Sequence, residues 1–263
     1  MEVNICYNEN CLDTMARMEA GFVDLTVTSP PYDNLRDYKG YSFDFRAVAE
    51  SLFRVTRPGG CVVWVVGDAV VDGSETGTSF RQALGFMDAG FKLHDTMIYE
   101  KNSASFPARA SSQRYSQIFE YMFVFCKGKI RTDISLLKDK SNKYAGMGSW
   151  GTISHYGKDG QRVRSGKKIV NVPDFSLRNN IWKYSTAVGK AFGHPAVFPE
   201  RLATDHILSW SVEDDLVYDP FMGSGTTAKA AVELGRRWIG SEISAEYCRI
   251  VEGRLKGVTG TLL

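Results

Sequence analysis

Apolar and polar positions along the chain follow two periods, and these divide it into short strands and helices. Val3–Tyr7 reads as a short strand and Leu12–Met18 as a helix. Val23-Asp24-Leu25-Thr26-Val27-Thr28 is rich in β-branched residues. It stops at Ser29-Pro30-Pro31, because proline supplies no ladder donor and restricts the residue before it. Phe45, Val48, Ala49, Leu52 and Phe53 recur at helical spacing within Phe45–Thr56. Arg57-Pro58-Gly59-Gly60 predicts a turn. The continuous apolar run Cys61–Val66 fits a strand buried on both faces of a parallel sheet. Phe80–Ala89 returns as a helix closed by Gly90, and Lys92–Tyr99 and Ile118–Cys126 read as further strands. The pattern resumes with a helix at Pro199–Trp210, a strand at Leu216–Tyr218 and a helix at Thr226–Leu234. A strand at Arg237–Ser241 and a helix at Tyr247–Leu255 complete it. Strand–helix alternation in both halves predicts an α/β fold with one doubly wound parallel sheet.

Residues 127–171 depart from this pattern. They are rich in Gly, Ser and Lys and show no sustained period, with Gly146, Gly148, Gly151, Gly157, Gly160 and Gly166 expected to interrupt any long element. The reading is an α/β domain formed by residues 1–126 and 172–263 with a loop-rich insert or small subdomain at 127–171. Charge sharpens the division. The insert holds eleven Lys and Arg against three Asp and Glu, a net +8. The remaining 21 basic and 27 acidic residues leave a net −6. A basic segment on an acidic body suits a polyanion, or else a solvated lysine-rich loop.

No run approaches the roughly 20 apolar residues of a membrane span. Met1-Glu2-Val3-Asn4 lacks the features of a secretory signal, so the protein is expected to be cytoplasmic, without a membrane partner. Cys6, Cys11, Cys61, Cys126 and Cys248 form no C-x-x-C pair, so neither a metal site nor a redox motif is expected.

Two short motifs carry chemistry. Gly223-Ser224-Gly225-Thr226-Thr227 lies between a strand and a helix. Glycines there allow close backbone approach, and the helix start offers unpaired N–H groups. Glu242 follows Gly223 by 19 residues at the end of the next strand, near the spacing at which a carboxylate holds ribose hydroxyls. A nucleoside-containing ligand fits, and a tight turn without a ligand is the alternative. No Lys follows the glycines, which rules against a P-loop. The second motif is Thr28-Ser29-Pro30-Pro31-Tyr32. Its prolines remove two donors, leaving a row of oxygen acceptors beside a flat ring. Such a group suits an aromatic amine. A proline-terminated strand with a core tyrosine is the alternative.

With these motifs in place, the chain resembles the amino-DNA methyltransferases over nearly its whole length. Asp219-Pro220-Phe221-Met222-Gly223-Ser224-Gly225-Thr226-Thr227 resembles that family's S-adenosylmethionine motif, and Thr28–Tyr32 its [DNST]-P-P-[YFW] catalytic motif. His194-Pro195-Ala196-Val197-Phe198-Pro199 resembles its H-P-A-x-F-P helix start, and Gly235–Glu242 its second cofactor strand. The order, catalytic motif first and cofactor motif last, is the permuted arrangement of the β group. The family's usual Gly-Asp after the first strand is replaced by Asn8-Glu9-Asn10-Cys11, which leaves Asn10 as the residue facing adenine.

The resemblance implies a Rossmann-like methyltransferase sheet with a small inserted target-recognition region, and an enzyme that methylates an exocyclic amino group in double-stranded DNA. It implies catalysis by Ser29, Pro30, Pro31 and Tyr32 on a base flipped from the duplex. It implies S-adenosylmethionine contacts from Asn10, Thr28, His194, Pro195, Asp219, Phe221, Gly223, Ser224, Gly225, Thr226, Thr227 and Glu242. In the insert, Lys138, Lys140, Lys143, Lys158, Arg162, Arg164, Lys167 and Lys168 suit DNA contacts, and Tyr144, Trp150 and Tyr156 suit stacking. Ser29 leans toward cytosine N4 over adenine N6. Carbon-5 methylation would need a nucleophilic Cys after Pro, and no Pro-Cys occurs. Methyltransferases of structured RNA or of protein glutamine share the cofactor half. They tend to differ at the positions of Tyr32 and Ser29 respectively. A non-catalytic nucleic-acid-binding module is a remoter alternative. A homodimer and a cognate restriction endonuclease are the expected protein partners.

Overall fold

Each strand that the apolar runs predict takes its place in one eight-stranded sheet. The computed structural model describes residues 1–31, 43–104, 113–185 and 199–259, with the side chains of 149–153, 165–170, 257 and 259 outside the description. Strands and helices run β1 (Ile5–Tyr7), α1 (Cys11–Ala16), β2 (Val23–Thr28), α2 (Phe45–Val55), β3 (Thr56–Val66), β4 (Val70–Val71), β5 (Ser74–Glu75), α3 (Thr78–Asp88), β6 (Lys92–Lys101) and β7 (Phe119–Cys126). They continue as β8 (Lys140–Ser141), β9 (Ser149–Tyr156), β10 (Arg162–Val170), β11 (Phe175–Ser176), β12 (Ile181–Tyr184), α4 (Glu200–Trp210), β13 (Leu216–Asp219), α5 (Thr226–Glu233), β14 (Arg237–Ser241) and α6 (Ala245–Thr259). The large sheet has the order β1-β14-β13-β2-β3-β7-β6-β12.

This is a doubly wound, Rossmann-like sheet. It is mixed, where the apolar runs alone predict a parallel one. β7 runs antiparallel to both β3 and β6, while the other neighbours are parallel. β12 is not legible as a strand in the sequence: Ile181 and Lys183 are exposed while Trp182 and Tyr184 are buried, and four edge residues offer too short an alternation to read. The predicted turn Arg57–Gly60 lies inside β3 instead. The β2–β3 ladder shifts register between Val23 and Leu25 to accommodate it. Gly60 permits the fit, because a Cβ there would stand 2.7 Å from the Asp24 carbonyl oxygen.

The face covered by α1, α2 and α3 is built on helical stripes meeting strand residues. Val48, Ala49, Leu52 and Val55 of α2 and Phe86 of α3 pack with Trp64, Phe125 and Tyr218. A fully buried side chain of this size contributes about 1.5–3 kcal/mol relative to exposure. Trp64 also needs a partner for its indole N–H, and it donates to Gln82 Oε1 at 2.8 Å. The other face carries α4 against β2 and β3, and α5 against β13 and β14.

The chain divides into two compact units, 1–135 with 180–263, and 136–179. The inserted unit therefore starts later and ends later than the expected 127–171. Residues 127–135 stay with the sheet, since Lys127 O accepts from Gly59 N at 2.7 Å and Arg131 Nη1 donates to Asp215 Oδ2 at 2.7 Å. The insert also holds two strands where its glycines are expected to interrupt any long element. β9 and β10 pair antiparallel, with Gly151 and Gly166 inside the strands and register shifts between Arg164 and Ile169. Both glycines fall where the register shifts, so the ribbon takes them in at irregularities of the ladder, positions that suit glycine. No described helix is long and apolar enough to cross a membrane.

Candidate active site

β2 and β13 are parallel neighbours, with Leu25 opposite Val217 and Thr26 opposite Tyr218. Their C-terminal ends therefore lie side by side, and the two motifs leave the same edge of the sheet. α2 follows β2 on one face and α5 follows β13 on the other. That divergence is the switch point at which open α/β sheets bind ligands.

Asp219 joins the two motifs. Its Oδ1 accepts from Thr28 Oγ1 at 2.6 Å and from Phe221 N at 3.0 Å. Its Oδ2 accepts from Thr227 Oγ1 at 2.7 Å, and that hydroxyl also lies 3.2 Å from Val27 O. Burial pushes the Asp219 carboxyl up to about 6, against the opposing pull of these donors. Thr28, Asp219 and Thr227 are buried and spend their side chains on one another. All three are expected to contact the cofactor, and their side chains here bond to one another and to the backbone at the joined strand ends.

The loop after β13 is shaped by backbone. Gly223 and Gly225 adopt φ of 50° and 83°, which a residue with a Cβ tolerates poorly. A Cβ on Gly225 would also meet Val251 Cγ2 of α6 at 3.0 Å. Gly225 N-caps α5 without a side-chain bond to its first N–H groups. Ser224 turns inward, where Arg254 Nη1 donates to its carbonyl at 2.6 Å and its hydroxyl at 3.2 Å. Phe221 meets Phe43 and Trp64 edge-on, with centroids 5.5 Å and 6.1 Å apart.

Glu242 ends β14 beside this loop. Its Oε2 accepts from Gly223 N at 2.9 Å and its Oε1 from Ser244 N at 2.8 Å. Burial raises its carboxyl above the ordinary range, opposed by these N–H donors. Two contacts hold its backbone to the end of β1: Glu242 N donates to Tyr7 O at 3.0 Å, and Asn8 Nδ2 donates to Glu242 O at 2.9 Å. Sequence reasoning passes over Asn8, although it stands in the stretch where Asn10 is singled out. Asn10 itself uses its Oδ1 to cap α1, accepting from Leu12 N at 2.9 Å.

The arrangement suits a nucleoside cofactor. Thr226 Oγ1, in the first turn of α5, is buried and without a hydrogen-bond partner among the described residues. A buried hydroxyl left unpaired is costly, and a polar ligand at the helix start would relieve it.

On the catalytic side, Ser29 and Pro31 are half-buried and Pro30 is buried, immediately beyond β2. Tyr32, His194 and Pro195 lie outside the described residues. In the inserted unit, Lys138, Lys140, Lys143, Arg162 and Arg164 are exposed, while the side chains of Lys167 and Lys168 fall outside the description. Lys140 Nζ donates to Asn179 Oδ1 at 3.0 Å.

Known proteins resemble this chain in sequence and in fold. The N6/N4 family model described as DNA methylase matches residues 23–253. Orphan methyltransferase M.BamHII of Bacillus amyloliquefaciens is 58% identical over 241 residues, 89% of this chain and 89% of that protein. Type II methyltransferase M.BglII of Bacillus subtilis is 26% identical over 270 residues, 97% of this chain and 69% of that protein. Among solved structures, the cytosine-N4-specific PvuII DNA methyltransferase matches with a TM-score of 0.69 at 20% identity, covering 97% of this chain and 89% of that one. A Thermus thermophilus protein, TTHA0409, complexed with S-adenosyl-L-methionine, matches with a TM-score of 0.64 at 22% identity, covering 96% of this chain and 95% of that one. The chain belongs to the N6/N4 DNA methylase family and is an S-adenosylmethionine-dependent DNA amino-methyltransferase.

Proposed function

We propose that the enzyme methylates cytosine N4 at a specific site in double-stranded DNA. The observation that supports this reading is the Thr28–Asp219 bond, which ties the end of β2, where Ser29 and Pro30 follow, to the end of β13. The cofactor supplies an electrophilic methyl group on a sulfonium centre. Gly223, Gly225, the Thr226 hydroxyl and Glu242 are the groups that hold it, with His194 and Pro195 closing over it as the family resemblance implies. An exocyclic amine delocalises its lone pair into the ring and is a poor nucleophile. The Ser29 side chain and the Pro30 carbonyl accept its two N–H bonds, which favours the tetrahedral nitrogen of the transition state. Pro31 fixes the backbone behind these acceptors, and Tyr32 stacks on the flipped base. Orientation of the amine supplies much of the rate.

Serine at position 29 supports cytosine over adenine. Digestion of treated DNA to nucleosides, followed by mass spectrometry, should find N4-methylcytosine. N6-methyladenine alone would overturn the choice of base. Failure to bind S-adenosylmethionine in calorimetry would instead favour a non-catalytic binding module.

The unit 136–179 serves as the target-recognition region. It carries nine Lys and Arg against three Asp and Glu, a net +6 that suits phosphates. A homodimer is supported by α3, whose Phe80, Leu84 and Met87 are 54%, 61% and 45% exposed along one stripe. Arg81 and Asp88 flank Leu84 on the same helix. A two-fold contact about Leu84 would set each Arg81 against the other copy's Asp88. The 58% identical relative is an orphan methyltransferase, which favours an enzyme acting without a restriction endonuclease partner.

A further inference from the structure

The inserted unit presents an isolated two-stranded ribbon with chemically different faces. β9 and β10 pair antiparallel with Arg162 opposite Tyr156, Val163 opposite His155 and Arg164 opposite Ser154. Side chains alternate along a strand, so Ser154, Tyr156, Arg162 and Arg164 share one face, and His155 and Val163 share the other. Both arginines are exposed, and Tyr156 is 76% exposed. Arg162 is also held in place: its Nε donates to Ser154 Oγ at 3.0 Å, diagonally across the ribbon. That bond uses the inner nitrogen of the guanidinium. Among the described residues the two terminal nitrogens have no partner, and they form a planar two-donor fork.

We infer that this ribbon lies in the major groove of the substrate DNA and that Arg162, buttressed by Ser154, reads a guanine there. The inference rests on the proposed action on double-stranded DNA and names the element that selects the site. Three observations carry it. The major groove, about 12 Å wide, admits a two-stranded ribbon whose strands are about 4.8 Å apart. Guanine offers paired O6 and N7 acceptors that match an arginine fork. The unit around the ribbon has a net charge of +6, complementary to the phosphates on either side of the groove. Lys158, exposed in the turn joining β9 to β10, and Arg164 supply phosphate contacts near the reading residue.

The test is a selection of duplexes with randomised centres, bound by the full chain with S-adenosylhomocysteine present to block turnover. Wild type, Arg162→Lys and Ser154→Ala are compared. Wild type should enrich a motif containing a G·C pair that Arg162→Lys, with its charge kept and its fork lost, no longer demands. Preference for guanine at that position should fall about tenfold to a hundredfold, from the roughly 1–3 kcal/mol of a bidentate contact. Ser154→Ala should relax the same position by less. Enrichment of no motif by wild type would overturn the inference. So would an unchanged motif in Arg162→Lys, which would leave the arginine as a phosphate contact. Cofactor binding by each variant, measured by calorimetry, separates loss of reading from loss of folding. A motif that shifts as expected in an enzyme that transfers no methyl group would preserve the ribbon assignment and overturn the catalytic one.

Discussion

Thr28 Oγ1 lies 2.6 Å from Asp219 Oδ1, although 191 residues separate them in the chain. The hydroxyl stands at the end of β2 and the carboxylate at the end of β13. Replacing Thr28 by Val keeps the shape and removes the donor. The buried carboxylate then loses a charge-assisted bond worth about 1.5–3 kcal/mol. Urea unfolding should show a loss of about 2 kcal/mol. Single-turnover methylation should slow as well, since the link to the Ser29 acceptors is lost. Unchanged stability would mean that the bond contributes nothing net.

Asp219 should also give a pH signature. Its folded carboxyl is raised to about 6 from an ordinary 3.8, so the folded state holds that proton more tightly than the unfolded chain. The resulting stabilisation is complete below 3.8 and is lost as pH rises through about 6. The difference in melting temperature between wild type and Asp219→Asn should therefore shift against wild type from pH 4 to pH 7. A difference that stays flat across this window would show that Asp219 titrates normally.

Gly225 couples the cofactor loop to α6 in two separable ways. Gly225→Ala places a Cβ at a φ of 83° and 3.0 Å from Val251 Cγ2. Backbone strain of this kind costs about 1–3 kcal/mol. The variant should be less stable and bind S-adenosylmethionine more weakly in calorimetry. Adding Val251→Ala should relieve the crowding but not the φ penalty, so recovery should be partial. Full recovery would assign the whole effect to the contact.

Ser29→Ala removes a proposed acceptor while leaving the cofactor loop intact. Cofactor affinity should stay within about twofold, and kcat should fall by about 100- to 1,000-fold, the range for one transition-state hydrogen bond. Equal losses in affinity and turnover would point to a folding defect.

Leu84→Asp places a charge at the centre of the exposed α3 stripe. Sedimentation should find dimeric wild type and monomeric variant. A monomeric wild type would leave the stripe without this partner.

Much of the site is legible in the sequence because its chemistry is local. The glycines at 223 and 225 mark a turn that only positive φ allows, and the prolines at 30 and 31 end a strand wherever they occur. Glu242 is found by spacing from Gly223, and it bonds to the Gly223 N–H. Thr28, Asp219 and Thr227 read as ligand contacts, and the structure adds the bonds that they make to one another. Their polarity suggests a site, but their burial against one another depends on β2 and β13 being neighbours. Asn8 escapes notice for the same reason, because its partner lies 234 residues away.

Periodicity, proline and glycine determined the longer strands of the large sheet, the helices on its faces and the two motifs at strand ends, since each depends on residues close together in the chain. Strand direction, the short strand β12 and the β9–β10 ribbon were decided only by tertiary structure. A strand's apolar face looks the same whichever way it runs, and pairing between distant segments fixes its direction. A ribbon takes in glycine where its register shifts, and only the pairing of the two strands shows where that is. The Thr28–Asp219–Thr227 bonds belong to this second class: sequence supplied the polar groups, and the sheet order brought them within hydrogen-bonding distance.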